Sequence, residues 1–203
     1  MLRVALVLVC LLGAGCTVSG SRSATDNQEV VARAVELGIA YLRQGDTLRA
    51  KENMHKALDV DPRSPEAHAS LALVFQQEQE WTLAESHFEK AIALDPKNSA
   101  ARNNFGAFLF AQGRAEEAIA QLQVAVSDQF YVRRSQAFEQ ARVLDARLDQ
   151  LGSLSSRRLL LCGLVAHHFS DEARAQDCYA AMKKRYPGTD DAKRLGDLVE
   201  ERT

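Results

Sequence analysis

Proline is scarce in this chain, four residues of 203, and aromatic residues make up 6% of it. Few helix breakers and few large flat side chains suit an all-helical protein. No run alternates apolar and polar residues as a half-buried strand would. The net charge is only −2, so there is no basic footprint and nucleic acid is excluded as the main partner. Also missing are a glycine-rich phosphate loop, a nucleophile elbow around a serine and a paired-acid motif. The five histidines make no metal set: His55, His68 and His87 are scattered, and adjacent His167 and His168 diverge on a helix. They read as surface or rim imidazoles. The short basic pairs Arg133-Arg134 and Arg157-Arg158 read as solvated charge. These absences predict a protein with no enzymatic activity, no cofactor, no metal and no small-molecule substrate.

What is present is one unit, twice. Leu37, Gly38 and Tyr41 are followed by Ala50, Met54, Ala57 and Pro62; Leu71, Ala72 and Phe75 are followed by Ala84, Phe88, Ala91 and Pro96. Every equivalent pair is separated by the same interval, Leu37 to Leu71 and Pro62 to Pro96 alike, and that interval is the tetratricopeptide period. Leu37, Gly38 and Tyr41 share a helical face, and so do Ala50, Met54 and Ala57. Gly45-Asp46 breaks the first helix, and Pro62 ends the second by pushing Asp61 out of helical geometry. Ser64-Pro65-Glu66 then reads as an N-cap, a first-turn proline and a favourable acid. One helical hairpin cannot bury both faces, so units must stack.

The predicted fold is therefore all-α, a tetratricopeptide-repeat superhelical solenoid of about four and a half repeats over 28–203. The repeats run 31–64, 65–98, 99–132, a partial 133–155, and 156–189, with a polar cap at 190–203. The third keeps Phe105, Gly106, Leu109, Gly113, Ala118, Leu122 and Ala125, but has Phe130 where the closing proline belongs. Phe130-Tyr131 is expected to pack as an apolar hook. Arg133–Leu151 reads as one helix without an obvious partner, although Ala141 lies one full period before Ala175. Trp81 is expected to pack against the turn that precedes it.

Residues 1–15 read as a signal peptide. Arg3 opens it, Val4–Leu12 is apolar but too short to span a bilayer, and Gly13-Ala14-Gly15 precedes Cys16. Leu12-Gly13-Ala14-Gly15-Cys16 resembles a bacterial lipobox, which implies lipidation of Cys16; the alternative is an ordinary signal peptide with a chance cysteine. Thr17 in place of an aspartate implies sorting to the outer membrane. Residues 17–27 are small and polar and read as a flexible tether.

With Ala101-Arg102-Asn103-Asn104-Phe105-Gly106-Ala107-Phe108-Leu109, Gln112-Gly113, Phe130-Tyr131, Arg134-Ser135-Gln136-Ala137-Phe138-Glu139, Arg158-Leu159-Leu160-Leu161 and Lys184-Arg185-Tyr186-Pro187-Gly188, the chain resembles the type IV pilus biogenesis/stability lipoproteins, the pilotins of pilus secretins. The resemblance implies a lipid-anchored protein on the periplasmic side of the outer membrane. It would bind a secretin subunit and promote its localisation and assembly. A rival expectation is a structural adaptor of another envelope machine, for β-barrel assembly or cell-wall synthesis.

By likeness to tetratricopeptide proteins, inner-wall positions carry the partner site: Val35, Ile39 and Leu42 in the first repeat, Leu73 and Gln76 in the second, Asn103 and Phe110 in the third; by the same likeness Asn104 would reach a bound peptide's backbone, the alternative being that it caps its own neighbours. Val35, Ile39, Leu42 and Leu73 would form an apolar stripe suited to a helix or extended tail. The alternative is that they face the chain's own N-terminal helix or a neighbouring molecule. Cys162 and Cys178 fall on the two helices of the last repeat, nearly opposite across the turn at Ser170-Asp171. A disulfide and two free buried thiols are both open at this level.

Overall fold

The computed structural model describes residues 20–150, 152 and 155–200. Among these, ten helices follow one another: α1 (Gly20–Arg43), α2 (Thr47–Val60), α3 (Pro65–Gln77), α4 (Trp81–Leu94), α5 (Ser99–Ala111), α6 (Ala115–Ser127), α7 (Arg134–Gln150), α8 (Ser156–His168), α9 (Glu172–Arg185) and α10 (Asp190–Glu200). No strand occurs among the described residues. Helices pair into hairpins α1–α2, α3–α4, α5–α6 and α8–α9, each packing on its neighbour, with α7 inserted singly between the third and fourth and α10 closing the end.

Short polar residues start the helices by accepting otherwise unpaired first-turn amides. Asp46 accepts from Arg49 N, Ser64 from Ala67 N, Asn98 from Ala101 N, Ser155 from Arg158 N and Asp171 from Arg174 N, all between 2.9 and 3.2 Å. The turn inside every hairpin uses a left-handed residue at one register position: Gly45 (φ 81°), Gln79 (61°), Gly113 (78°) and Ser170 (58°).

The core is written in the repeat positions. Ala50, Met54, Ala57, Ala84, Phe88, Ala91, Ala118, Leu122 and Ala125 are all buried. Phe88 stacks on Phe105 at 5.3 Å and meets Phe108 at 5.6 Å, sealing the second repeat against the third. Cys162 on α8 and Cys178 on α9 are joined by a disulfide, their Cα atoms 6.2 Å apart. At Gly163 the side chain of Leu195 from α10 occupies the space a Cβ would need, so the absence of a side chain lets the cap dock.

Helix α7 keeps the register but not the chemistry. Ala141, Leu144 and Leu148 are buried, while Asp145 stands one period before Tyr179, where other repeats place Met54, Phe88 or Leu122. Asp145 is itself buried and paired: Arg158 Nε donates to Oδ1 at 3.1 Å and Arg174 to Oδ2 at 2.6 Å. Arg158 also reaches Asp149 at 2.5 Å. One carboxylate thus ties α7 to both helices of the last hairpin.

Several expectations are corrected. Residues 20–27, read as flexible tether, belong to α1, because extending an already nucleated helix backwards costs little per residue; residues 17–19 lie outside the described residues. Phe130 is no hook: it is 93% exposed and Val132 98%, and only Tyr131 turns onto the core. Asp128 holds that turn, accepting from Phe130 N at 3.0 Å and from Ser99 Oγ at 2.6 Å. Arg158 is buried rather than solvated, for the reason just given. Trp81, the first residue of α4, faces Phe108 of the next repeat at 6.5 Å instead of its own turn.

Candidate functional site

The long first helix sets up a deep concavity. Helices α3, α5 and α8 have 13 residues each, while α1 has 24. Its turns present Val31, Val35 and Ile39 in a row, one turn after another. Opposite stand Val60, Asp61, Ser64 and Pro65 from the α2–α3 turn and the start of α3. The groove between them has a volume of about 910 Å³. Asn27 and Gln28, from the part of α1 ahead of the repeat, lengthen one wall. The floor is apolar and the rim is polar, the combination that suits an amphipathic segment.

The expected site residues do not form one stripe. Val35 and Ile39 line the groove together, Val35 as buried floor and Ile39 half-buried. Leu42 and Leu73 pack against the core outside it. Phe110 lines a separate depression of about 280 Å³ with Ala107, Leu122, Glu139, Gln140 and Val143. Asn103 is sealed, its Oδ1 without a hydrogen-bond partner, as is Oε1 of Gln76. Asn104 is half-buried. The groove's Val31, Val60, Asp61 and Glu66 were not foreseen. Glu66 stands one repeat period after Ala32, which lines the same groove.

Two of the histidines read as rim imidazoles instead form a partly buried pair behind the groove. A carbonyl oxygen only accepts, so His68 Nε2–H donates to Pro62 O at 3.2 Å. The neutral His68 ring then accepts at Nδ1 from His87 Nδ1–H, 3.0 Å away. Burial lowers the pKa of both, and for His87 the neighbouring His68, Lys90 and His55 add to it, bringing it to about 4. Among the described residues no three His, Cys, Asp or Glu side chains gather as a metal set.

Stacked helical hairpins, the first three at one period, with an apolar trough on the inner side of the first, define a repeat scaffold for binding polypeptide. The tetratricopeptide-repeat profile matches residues 35–98 and 75–130, and the chain belongs to the tetratricopeptide-repeat family. The type IV pilus assembly protein PilF of Pseudomonas aeruginosa is 41% identical over 153 residues, which cover 73% of this chain and 61% of PilF. This chain thus spans less than two thirds of that relative. The solved structure from the functional characterization of P. aeruginosa PilF has a TM-score of 0.53 and 30% identity, covering 85% of this chain and 99% of that one. The crystal structure of PilW, a widely conserved type IV pilus biogenesis factor, is 19% identical with a TM-score of 0.52, covering 82% of this chain and 98% of that one. At that identity it attests the fold alone.

Proposed function

We propose that this protein is a scaffold of type IV pilus biogenesis that binds a segment of the secretin subunit in the α1–α3 groove and promotes its assembly in the outer membrane. The observation that carries the reading is the trough whose accessible apolar surface is Ala32, Ile39, Val60 and Pro65 over buried Val31 and Val35, on a chain related to PilF. In this reading Cys16 is acylated and fixes the chain to the inner leaflet of the outer membrane, facing the periplasm. Gly20 already begins a helix that continues without a break into the first repeat, so the groove is held near the lipid. Confining scaffold and client to one membrane raises their effective concentration. Binding and positioning are the whole task; no chemical step is required of any residue.

The test is Ile39→Asp, which places a charge on the half-buried edge of the trough floor and leaves the buried Val31 and Val35 in place. Secretin capture from detergent-solubilised envelope should fall at least about tenfold while helicity is retained. Unchanged capture refutes the groove. Intact mass of the purified protein tests the anchor: an unmodified Cys16 removes it. Recovery of barrel-assembly or wall-synthesis enzymes in place of the secretin would favour the adaptor reading.

A further inference from the structure

The charge around the trough is lopsided. Glu36 projects from α1, Asp61 from the α2–α3 turn and Glu66 from the first turn of α3, and all three line the groove. They are exposed, and none has an ion-pair partner among the described residues. Among the described residues the Asp61 carboxylate accepts from the backbone N–H of Arg63, at 2.9 Å, and that of Glu66 from Ser64 Oγ, at 3.4 Å. Against these three acids the lining has one cation among the described residues, Arg43, at the last turn of α1. The acids are also not spread evenly. The repeat register sets the start of α3 beside Val31, so Asp61 and Glu66 flank the N-terminal half of the trough and Arg43 its far end.

The floor has a matching length. From Asn27 to Arg43 the lining residues of α1 span about 24 Å at 1.5 Å per residue. Val31 and Val35 are buried and back the trough, and its accessible apolar surface comes from Ala32, Ile39, Val60 and Pro65, which suits the stripe of an incoming helix.

Resting on the groove reading above, we infer that the occupant is a basic amphipathic helix of about four turns, with its apolar stripe on Ala32, Ile39, Val60 and Pro65, backed by buried Val31 and Val35, and Lys or Arg flanks facing Glu36, Asp61 and Glu66. Its acidic or carboxyl end lies toward Arg43. Each exposed charge pair contributes little by itself, but three acting together favour a cationic segment over an otherwise equal anionic one by about tenfold or more.

The probes are three synthetic helices of about sixteen residues with one leucine stripe and a polar face of Lys, Gln or Glu, fluorescein-labelled and titrated with the full chain. The Lys helix should bind about tenfold tighter than the Gln helix, and the Glu helix weakest, at about 50 mM salt; the differences should collapse near about 500 mM. The triple variant Glu36→Gln/Asp61→Asn/Glu66→Gln should bring the Lys helix to the affinity of the Gln helix and leave the Gln helix unmoved. Equal binding of Lys and Glu helices, a preference that survives the triple variant, or no binding of any helix overturns the inference. So does a concentration-dependent dimer that the triple variant dissolves, since the occupant is then a second copy. The two readings fail differently. If Ile39→Asp abolishes secretin capture and the triple variant captures it like the wild type, only the charge inference falls. If Ile39→Asp captures normally, the groove itself falls.

Discussion

Asp145 occupies a site where the other repeats bury methionine, phenylalanine or leucine, and it is tolerated because Arg158 and Arg174 neutralise it. Hydrogen bonding to Asp145 in turn raises the Arg174 pKa, so that guanidinium stays charged. Breaking a buried pair from one side is far worse than replacing both partners. Arg158→Met leaves Asp145 with Arg174 alone and should cost less than the ~3–5 kcal/mol of a fully orphaned buried charge in urea unfolding, and Asp145→Leu added to it should recover part of the loss. The His68–His87 pair makes a second residue-scale prediction. Both pKa values are lowered in the folded chain, His87 to about 4 from 6.5, so the unfolded chain binds more protons between those values. The contribution to stability is full above about 6.5 and is lost as pH falls toward about 4. The melting temperature of the wild type should drop across that window, and His87→Leu should flatten the drop.

At the scale of the element, the turns follow one rule with two exceptions. Gly45 and Gly113 enter the left-handed region freely, whereas Gln79 and Ser170 adopt it with a Cβ. Replacing Gln79 by glycine should stabilise the second hairpin by about 1 kcal/mol, read as a raised melting temperature, since the αL penalty exceeds the entropy a glycine adds to the unfolded chain. The same position is glycine, glutamine, glycine and serine, so a glycine marks the turn in two repeats, while in the last one Ser170-Asp171 marks it. The alanines at Ala50, Ala57, Ala84, Ala91, Ala118 and Ala125 made the second helices of the first three repeats readable, whereas the last repeat buries Met182 at the position of Ala57. Glu66 and Asp61, by contrast, look like a helix start and a helix end in sequence. Only the stacking of α3 against α1 makes them the rim of a trough.

The whole molecule is a row of hairpins, in which each unit is held by its neighbours. Helix α7 has no hairpin partner among the described residues and bridges α6 to α8. Ala141→Asp should therefore release protection of α8–α10 in hydrogen exchange while α1–α5 keep theirs; uniform loss along the chain would show that the solenoid unfolds as one unit. Helix α6 also packs directly on α8, where Gln123 Nε2 donates to Arg157 O at 2.7 Å, so the protection of α8–α10 should fall without being lost altogether.

The regular recurrence of small and large apolar residues was enough to determine helices, hairpins and solenoid, because each repeat meets the same neighbours and so needs the same side chains. What the tertiary structure decided is where that recurrence lapses. It turned the expected tether into a helix, left Phe130 in solvent, buried Asp145 with its two arginines, and gathered Val31, Val35, Ile39, Asp61 and Glu66 into one groove. Those outcomes depend on residues far apart in the chain meeting across stacked helices, and no local pattern encodes such a meeting.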